Sequence, residues 1–164
     1  MIPFDPSGPL PTGTTVLEAS AGTGKTYAIG ALAVRYLAEG VVSADELAVI
    51  SFSRIASAEL RSKVRQRIGH TLSHLRGTGQ AAPDSTDRLL STGEPAEVAA
   101  RVDRLEAALA GLDRAAVMTI HQFCQAMLAE LGVQAAVDTS ARLSEDLSRL
   151  LEQVCADLYL ARYA

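Results

Sequence analysis

The stretch Ala19-Ser20-Ala21-Gly22-Thr23-Gly24-Lys25-Thr26 limits the fold more than any other part of this chain. Before it runs Val16-Leu17-Glu18-Ala19-Ser20, which reads as a short strand. After it a helical pattern extends from about Lys25 to Glu39 and stops at Gly40. Gly22 and Gly24 admit backbone conformations that other residues avoid. The chain can therefore curl between strand and helix until successive N–H groups point at one place. The pattern matches G-x-x-x-x-G-K-[ST] except that Ala19 replaces the first glycine, where a methyl group in an outward turn is tolerated. Such a loop suits phosphate: backbone donors and the helix N-terminus face the anion, Lys25 reaches the β- and γ-phosphates, and the Thr26 hydroxyl offers a Mg²⁺ ligand. We expect Ala19, Ser20, Ala21, Gly22, Thr23, Gly24, Lys25 and Thr26 to hold a nucleoside triphosphate, with Lys25 as the catalytic cation. A glycine turn that merely carries a lysine is the plain alternative.

The rest of the chain continues the alternation. Leu47-Ala48-Val49-Ile50-Ser51-Phe52-Ser53 is nearly continuous in apolar residues, as a buried parallel strand should be. From Arg54 to Arg76, Leu60, Val64, Ile68, Leu72 and Leu75 recur at helical spacing. Residues 77–95 read as a loop. Val98, Val102, Leu105, Leu109 and Leu112 line a second helix, with Glu97 and Arg101 as an i,i+4 pair. Ala116-Val117-Met118-Thr119-Ile120 is a third strand. His121 to Leu131 reads as helix with Phe123, Met127, Leu128 and Leu131 inward. After a Gly132–Ser140 connection, Leu143, Leu147, Leu150, Leu151, Val154 and Leu158 mark a last amphipathic helix, read as core, packed within this chain or against a further domain. Strands alternating with helices predict an α/β fold with a parallel sheet, and three strands are few for one. We divide the chain into residues 1–134 and a helical segment, 135–164.

Composition narrows the class of function. In 164 residues, 48 % are apolar and 21 % charged, ordinary for a globular domain. No apolar run approaches the roughly 20 residues of a membrane helix. The opening Met1-Ile2-Pro3-Phe4-Asp5-Pro6 shows neither a basic segment nor an apolar one, so no secretory leader is expected. Cys124 and Cys155 make no disulfide framework or metal cluster, which fits a cytoplasmic location. The net charge of −4 hides an asymmetry. Residues 54–76 carry six cations (Arg54, Arg61, Lys63, Arg65, Arg67, Arg76) against Glu59 alone, +5, while the remaining chain is −9. A basic island in an acidic chain suggests a local contact with a polyanion.

Three motifs in order carry a resemblance. Leu17 to Thr26 looks like motif I of the UvrD-like superfamily 1 helicases. Phe52-Ser53 with Ala56, Ala58-Glu59-Leu60 and Arg61 looks like motif Ia. Thr119-Ile120-His121-Gln122-Phe123-Cys124 looks like the T-x-H-x-F-C element that follows. Over residues 10–160 the chain is most similar to the RecB type, the beta subunit of exodeoxyribonuclease V, at its N-terminus. The resemblance implies a partial RecA-like P-loop domain using ATP and Mg²⁺. It implies ATP-driven movement on single-stranded DNA, action at DNA ends in break repair and recombination, exonuclease activity in the full complex, and RecC- and RecD-like partner subunits. It places Phe52, Ser53, Arg54, Arg61 and His121 toward DNA.

The sequence also departs from that pattern. No Gln precedes Ala19 to read adenine, and Ser51 and Ser53 stand where the group has Thr. No apolar strand ending in Asp-Glu follows, so the chain reads as a fragment expected to bind nucleotide without turning it over. Alternative tasks stand beside these roles. Phe52 could be core, His121 a helix cap, and Lys63, Arg67, His70 and His74 a solvated stripe. A non-catalytic nucleotide- or DNA-binding module and a small P-loop kinase are the rival functions. The kinase predicts an acceptor-binding Asp near the end of the second strand, where Ser51-Phe52-Ser53 stands.

Overall fold

The computed structural model describes residues 3–20, 22–79, 81–131 and 147–163. Ala21, Leu143, the Gly132–Ser140 connection and the 134/135 boundary lie outside the described residues. The elements run α1 (Lys25–Ala38), β1 (Ala48–Ser51), α2 (Arg54–Leu75), α3 (Ser85–Ser91), α4 (Pro95–Gly111), β2 (Ala116–Thr119), α5 (Ile120–Leu131) and α6 (Ser148–Tyr163). The chain divides into two compact units, residues 1–125 and 126–164.

In the first unit, β1 and β2 pair in parallel, with Ala48 opposite Ala116 and Ser51 opposite Thr119. The helices α1, α2 and α4 pack on one another, and α2 also packs on both strands. The core is the apolar stripe of each helix: Val34 and Leu37 of α1, Val64, Ile68 and Leu72 of α2, and Leu105 of α4, joined by Leu90, Leu112 and Val117. The expected spacing in α2 and α4 is therefore the buried one, and Arg101 meets Glu97 at 3.9 Å.

Helix ends explain where the chain turns. At the end of α1, Gly40 adopts φ 74°, its N–H bonds Leu37 O, and the Val41 N–H bonds Tyr36 O. These two bonds satisfy carbonyls that the helix leaves open. The Arg104 guanidinium of α4 donates to Ala38 O at 3.0 Å, and a Cβ on Gly40 would lie 2.9 Å from its Nε. The position thus requires glycine on two counts. The N-terminal lead-in is tied down by buried Arg35, which donates to Pro6 O and Gly8 O while pairing with Glu39.

Several expectations need correction. Val16–Ser20 is not a strand, and the described sheet has two strands instead of three. Val16 is 78 % exposed and Leu17 is also exposed. A strand needs a hydrogen-bonding neighbour, and the described residues give this stretch none. Residues 77–95 are not simply a loop, because they contain α3. Its start is a capping box: Asp84 accepts from the Asp87 N–H, and the Asp87 side chain accepts from the Asp84 N–H. The inward face expected for α5 is mostly open, with Met127, Leu128 and Leu131 exposed and Phe123 half-buried. In the second unit, Leu147 and the α6 residues Leu150, Leu151, Val154 and Leu158 are exposed, so nothing among the described residues covers the stripe. Their helical spacing reports amphipathicity, which says which side is apolar and not what covers it.

Candidate functional site

The glycine loop takes the shape its composition dictates. Gly22 has φ 76° and Gly24 φ 89°, both left-handed, and a Cβ on either would meet nothing within 4 Å. Among the described residues, nothing crowds the side of either glycine where a side chain would sit. The Thr23 hydroxyl donates to Ser20 O at 2.7 Å. Lys25 folds its ammonium back over the loop, donating to Ala19 O at 3.1 Å and Ser20 O at 2.5 Å. Gly24 is the N-cap of α1 without a side-chain cap, so the first N–H groups of that helix remain available to an anion. Left-handed glycines, an exposed ammonium and an uncapped helix start make a donor set that fits a triphosphate. Thr26 would supply the Mg²⁺ ligand. It also stands at the head of a groove of about 410 Å³ between α1 and α2, which includes Tyr27, Gly30 and Lys63.

The second cluster follows from strand register. Because Ser51 pairs with Thr119, the residues after β1 and after β2 leave the same sheet edge side by side. Phe52 is 89 % exposed and Ile55 is 83 % exposed. Solvent-facing apolar side chains of that size at the end of a strand are not core, which removes one reading of Phe52. Ser53 caps α2, its Oγ accepting from the Ala56 N–H at 3.1 Å. The Ser51 hydroxyl joins the Ser57 hydroxyl at 2.7 Å, fixing the turn from below. Across the edge, the Gln122 side-chain oxygen accepts from the Thr119 N–H at 2.9 Å, and the Gln122 N–H donates to Thr119 Oγ1 at 3.3 Å. This is a reciprocal cap on α5. Gln122 was not among the expected site residues, although the spacing Thr119-x-x-Gln122 carries the signal. With the cap supplied by Thr119 and Gln122, His121 is left exposed without a partner among the described residues.

The basic island is largely neutralised inside the fold. Arg61 donates to Val117 O at 2.9 Å and Leu112 O at 3.3 Å, bracing α2 against β2. A role facing DNA, as expected for Arg61, is therefore not what its hydrogen bonds show. Arg65 pairs with Asp113 at 2.8 Å, and Arg76 pairs with Glu106. Arg67 meets Asp84 at 2.7 Å and Asp87 at 3.2 Å. Burial opposes the charge on Asp84, but hydrogen bonds from Arg67, Tyr27 and the Asp87 N–H outweigh it and hold the carboxyl well below the usual range. Arg67 and His70 therefore leave the solvated stripe. Of the six cations, Arg54 and Lys63 keep no partner among the described residues.

Known proteins place this arrangement. A family model described as the UvrD/REP helicase N-terminal domain matches residues 7–162. The chain is similar to the RecBCD enzyme subunit RecB of Mycolicibacterium smegmatis, 46 % identical over 162 residues, which cover 98 % of this chain and 15 % of that protein. It is similar to the RecBCD enzyme subunit RecB of Escherichia coli, 36 % identical over 156 residues, with 90 % of this chain and 13 % of that protein covered. It is also similar to the RecBCD enzyme subunit RecB of Haemophilus influenzae, 31 % identical over 148 residues, 84 % of this chain and 12 % of that protein. The chain thus spans no more than 15 % of the length of these three relatives. With matches of this extent covering the glycine loop and both strand ends, the chain belongs to the UvrD/REP helicase N-terminal domain family and is RecB-like within it.

Proposed function

We propose that this chain is the ATP-binding N-terminal part of an ATP-dependent DNA helicase/nuclease subunit that works in double-strand break repair and recombination. The observation that carries this reading is the loop itself: two left-handed glycines, an uncapped start of α1, and the Lys25 ammonium folded over the turn. In this proposal the loop is the phosphate cradle of a RecA-like P-loop domain. Residues Ala19 to Thr26 hold ATP, Thr26 takes a Mg²⁺ ligand position, and Lys25 stabilises the charge on the transferring phosphoryl group. The edge formed by Phe52, Ser53, Arg54 and His121 faces single-stranded DNA, with Phe52 as a stacking platform and Arg54 as a phosphate contact. Arg61 serves that edge as a brace behind it. The parent protein works at DNA ends in the cytoplasm with RecC- and RecD-like subunits, and its exonuclease activity belongs to the full complex.

A fluorescent ATP analogue titrated with Mg²⁺ tests the loop. Saturable binding that Lys25→Ala abolishes is the expected result; equal binding by both proteins overturns the reading. A steady-state ATPase assay with single-stranded DNA should show no turnover above that of Lys25→Ala. Glu18, the nearest carboxylate in sequence, lies in the lead to the loop. Turnover well above that variant would place the catalytic carboxylate within this chain.

A further inference from the structure

The stretch between the two DNA-edge motifs contains an arrangement that the helicase reading does not use. His70 and His74 lie one turn apart on α2, with ring centroids 4.6 Å apart and planes inclined by 63°. Facing them from α3 is Asp87, which is fully buried. One ligand atom from each of the three lies within 4.8 Å of the others. Among the described residues, His70 Nδ1 and His74 Nε2 are both buried with no hydrogen-bond partner. We propose that His70, His74 and Asp87 form a binding site for a divalent transition ion of the Zn²⁺ class.

The geometry is close to what such an ion needs. Bonds of about 2.0–2.1 Å in tetrahedral array separate neighbouring ligand atoms by roughly 3.4 Å. His70 Nδ1 already stands 3.5 Å from Asp87 Oδ2. That distance exceeds an ordinary hydrogen bond and matches two ligands on one ion. The remaining closure is on the His74 side, whose ligand atom lies within 4.8 Å of the other two. The carboxylate is also held as ligating carboxylates usually are. Asp87 Oδ1 accepts from the Thr71 hydroxyl at 2.7 Å and from Arg67 at 3.2 Å, which turns Oδ2 toward the histidines. Arg67 opposes a second cation nearby, but its Nη2 is shared between Asp84 and Asp87. Two carboxylates against one guanidinium leave the pocket with net negative charge when both imidazoles are neutral. Two imidazole nitrogens and one carboxylate favour Zn²⁺, Co²⁺ or Ni²⁺ over Mg²⁺ or Ca²⁺, and leave one position for water. A bound ion would clip α3 to α2, fastening the segment that separates the two motifs.

The test uses the tag-free chain with Cys124→Ser and Cys155→Ser, both exposed thiols, in excess Mg²⁺. Titrated Co²⁺ should develop the visible absorption of a tetrahedral site at a one-to-one ratio. Zn²⁺ should bleach that absorption and raise the melting temperature. His74→Gln should weaken Co²⁺ binding by at least about tenfold. No absorption and no Zn²⁺-dependent shift would overturn the proposal and leave a buried water or a His70–Asp87 ion pair as the occupant. Absorption that survives His70→Gln with His74→Gln at unchanged affinity would overturn it as well. If that double variant misfolds, imidazole ¹⁵N resonances of the parent decide, because the chain has only three histidines. Two resonances shifted by Zn²⁺ support the site; a shift of His121 alone, or of none, refutes it.

Discussion

The glycine loop and the paired strand edge are both short motifs at the start of a helix, yet the fold supports them differently. The loop is fully exposed over its described residues, has no strand behind it, and is shaped by its own glycines and by Lys25 bonding its own carbonyls. The strand edge is held by partners distant in sequence: register with β2, the caps at Ser53 and Thr119, and Arg61 reaching residues about fifty positions away. A backbone shape that glycine permits can be written locally. An edge that presents side chains in fixed relation must be written across the whole unit.

Substitutions at five positions sharpen that contrast, ordered by expected size. Lys25→Ala should cost about 3 kcal/mol in MgATP affinity, as expected for a charge-assisted phosphate contact. It should leave the denaturation midpoint unchanged, because the partners it loses belong to an exposed loop. A matching loss of stability would show that the loop is tied to the core. Arg61→Ala should do the reverse, lowering stability by about 2 kcal/mol in a urea titration by removing two bonds from a charged donor. Its salt slope for single-stranded DNA should stay unaltered, whereas Arg54→Ala should flatten that slope by about 0.7. Should Arg61→Ala flatten the slope instead, its guanidinium faces phosphate and not the strand carbonyls.

Phe52→Ala should weaken single-stranded DNA binding by about 1–3 kcal/mol in fluorescence anisotropy, the usual contribution of a stacked base. Thermal stability should not fall, since the ring buries almost nothing. A drop in melting temperature with unchanged DNA affinity would return Phe52 to the core. The smallest effect belongs to Ser53→Ala, which removes the cap of α2 at about 1 kcal/mol, read by urea denaturation. Ser53→Asp should restore that loss, because an Asp oxygen accepts the same N–H.

Much of the fold was legible wherever a residue's role is local. Val64, Ile68 and Leu72 declare the buried face of α2 by spacing alone, and Gly40 declares the end of α1. Gly22, Gly24 and Lys25 likewise declare the loop. Roles set by distant partners were not legible. The positive island reads as +5 along the chain, but Asp84, Asp87, Asp113 and Glu106 arrive from α3, α4 and the turn before β2 to cancel most of it. The α3 helix was hidden by its length of seven residues, too short for a periodic signal, although the Asp84-x-x-Asp87 pair marks its start. Val16–Ser20 has the composition of a strand, but composition supplies no neighbour to bond with.

The two bonds from Arg61 carry a mechanical consequence. They fasten the second turn of α2 to Val117 in the strand beside the one that α2 follows and to Leu112 at the end of α4, so two helices and a strand meet at one side chain. Within this frame Phe52 occupies the single position between a paired residue, Ser51, and a capping residue, Ser53. Its backbone is clamped on both sides while its ring is free to turn about χ1. A stiff frame thus presents one compliant apolar ring to the solvent.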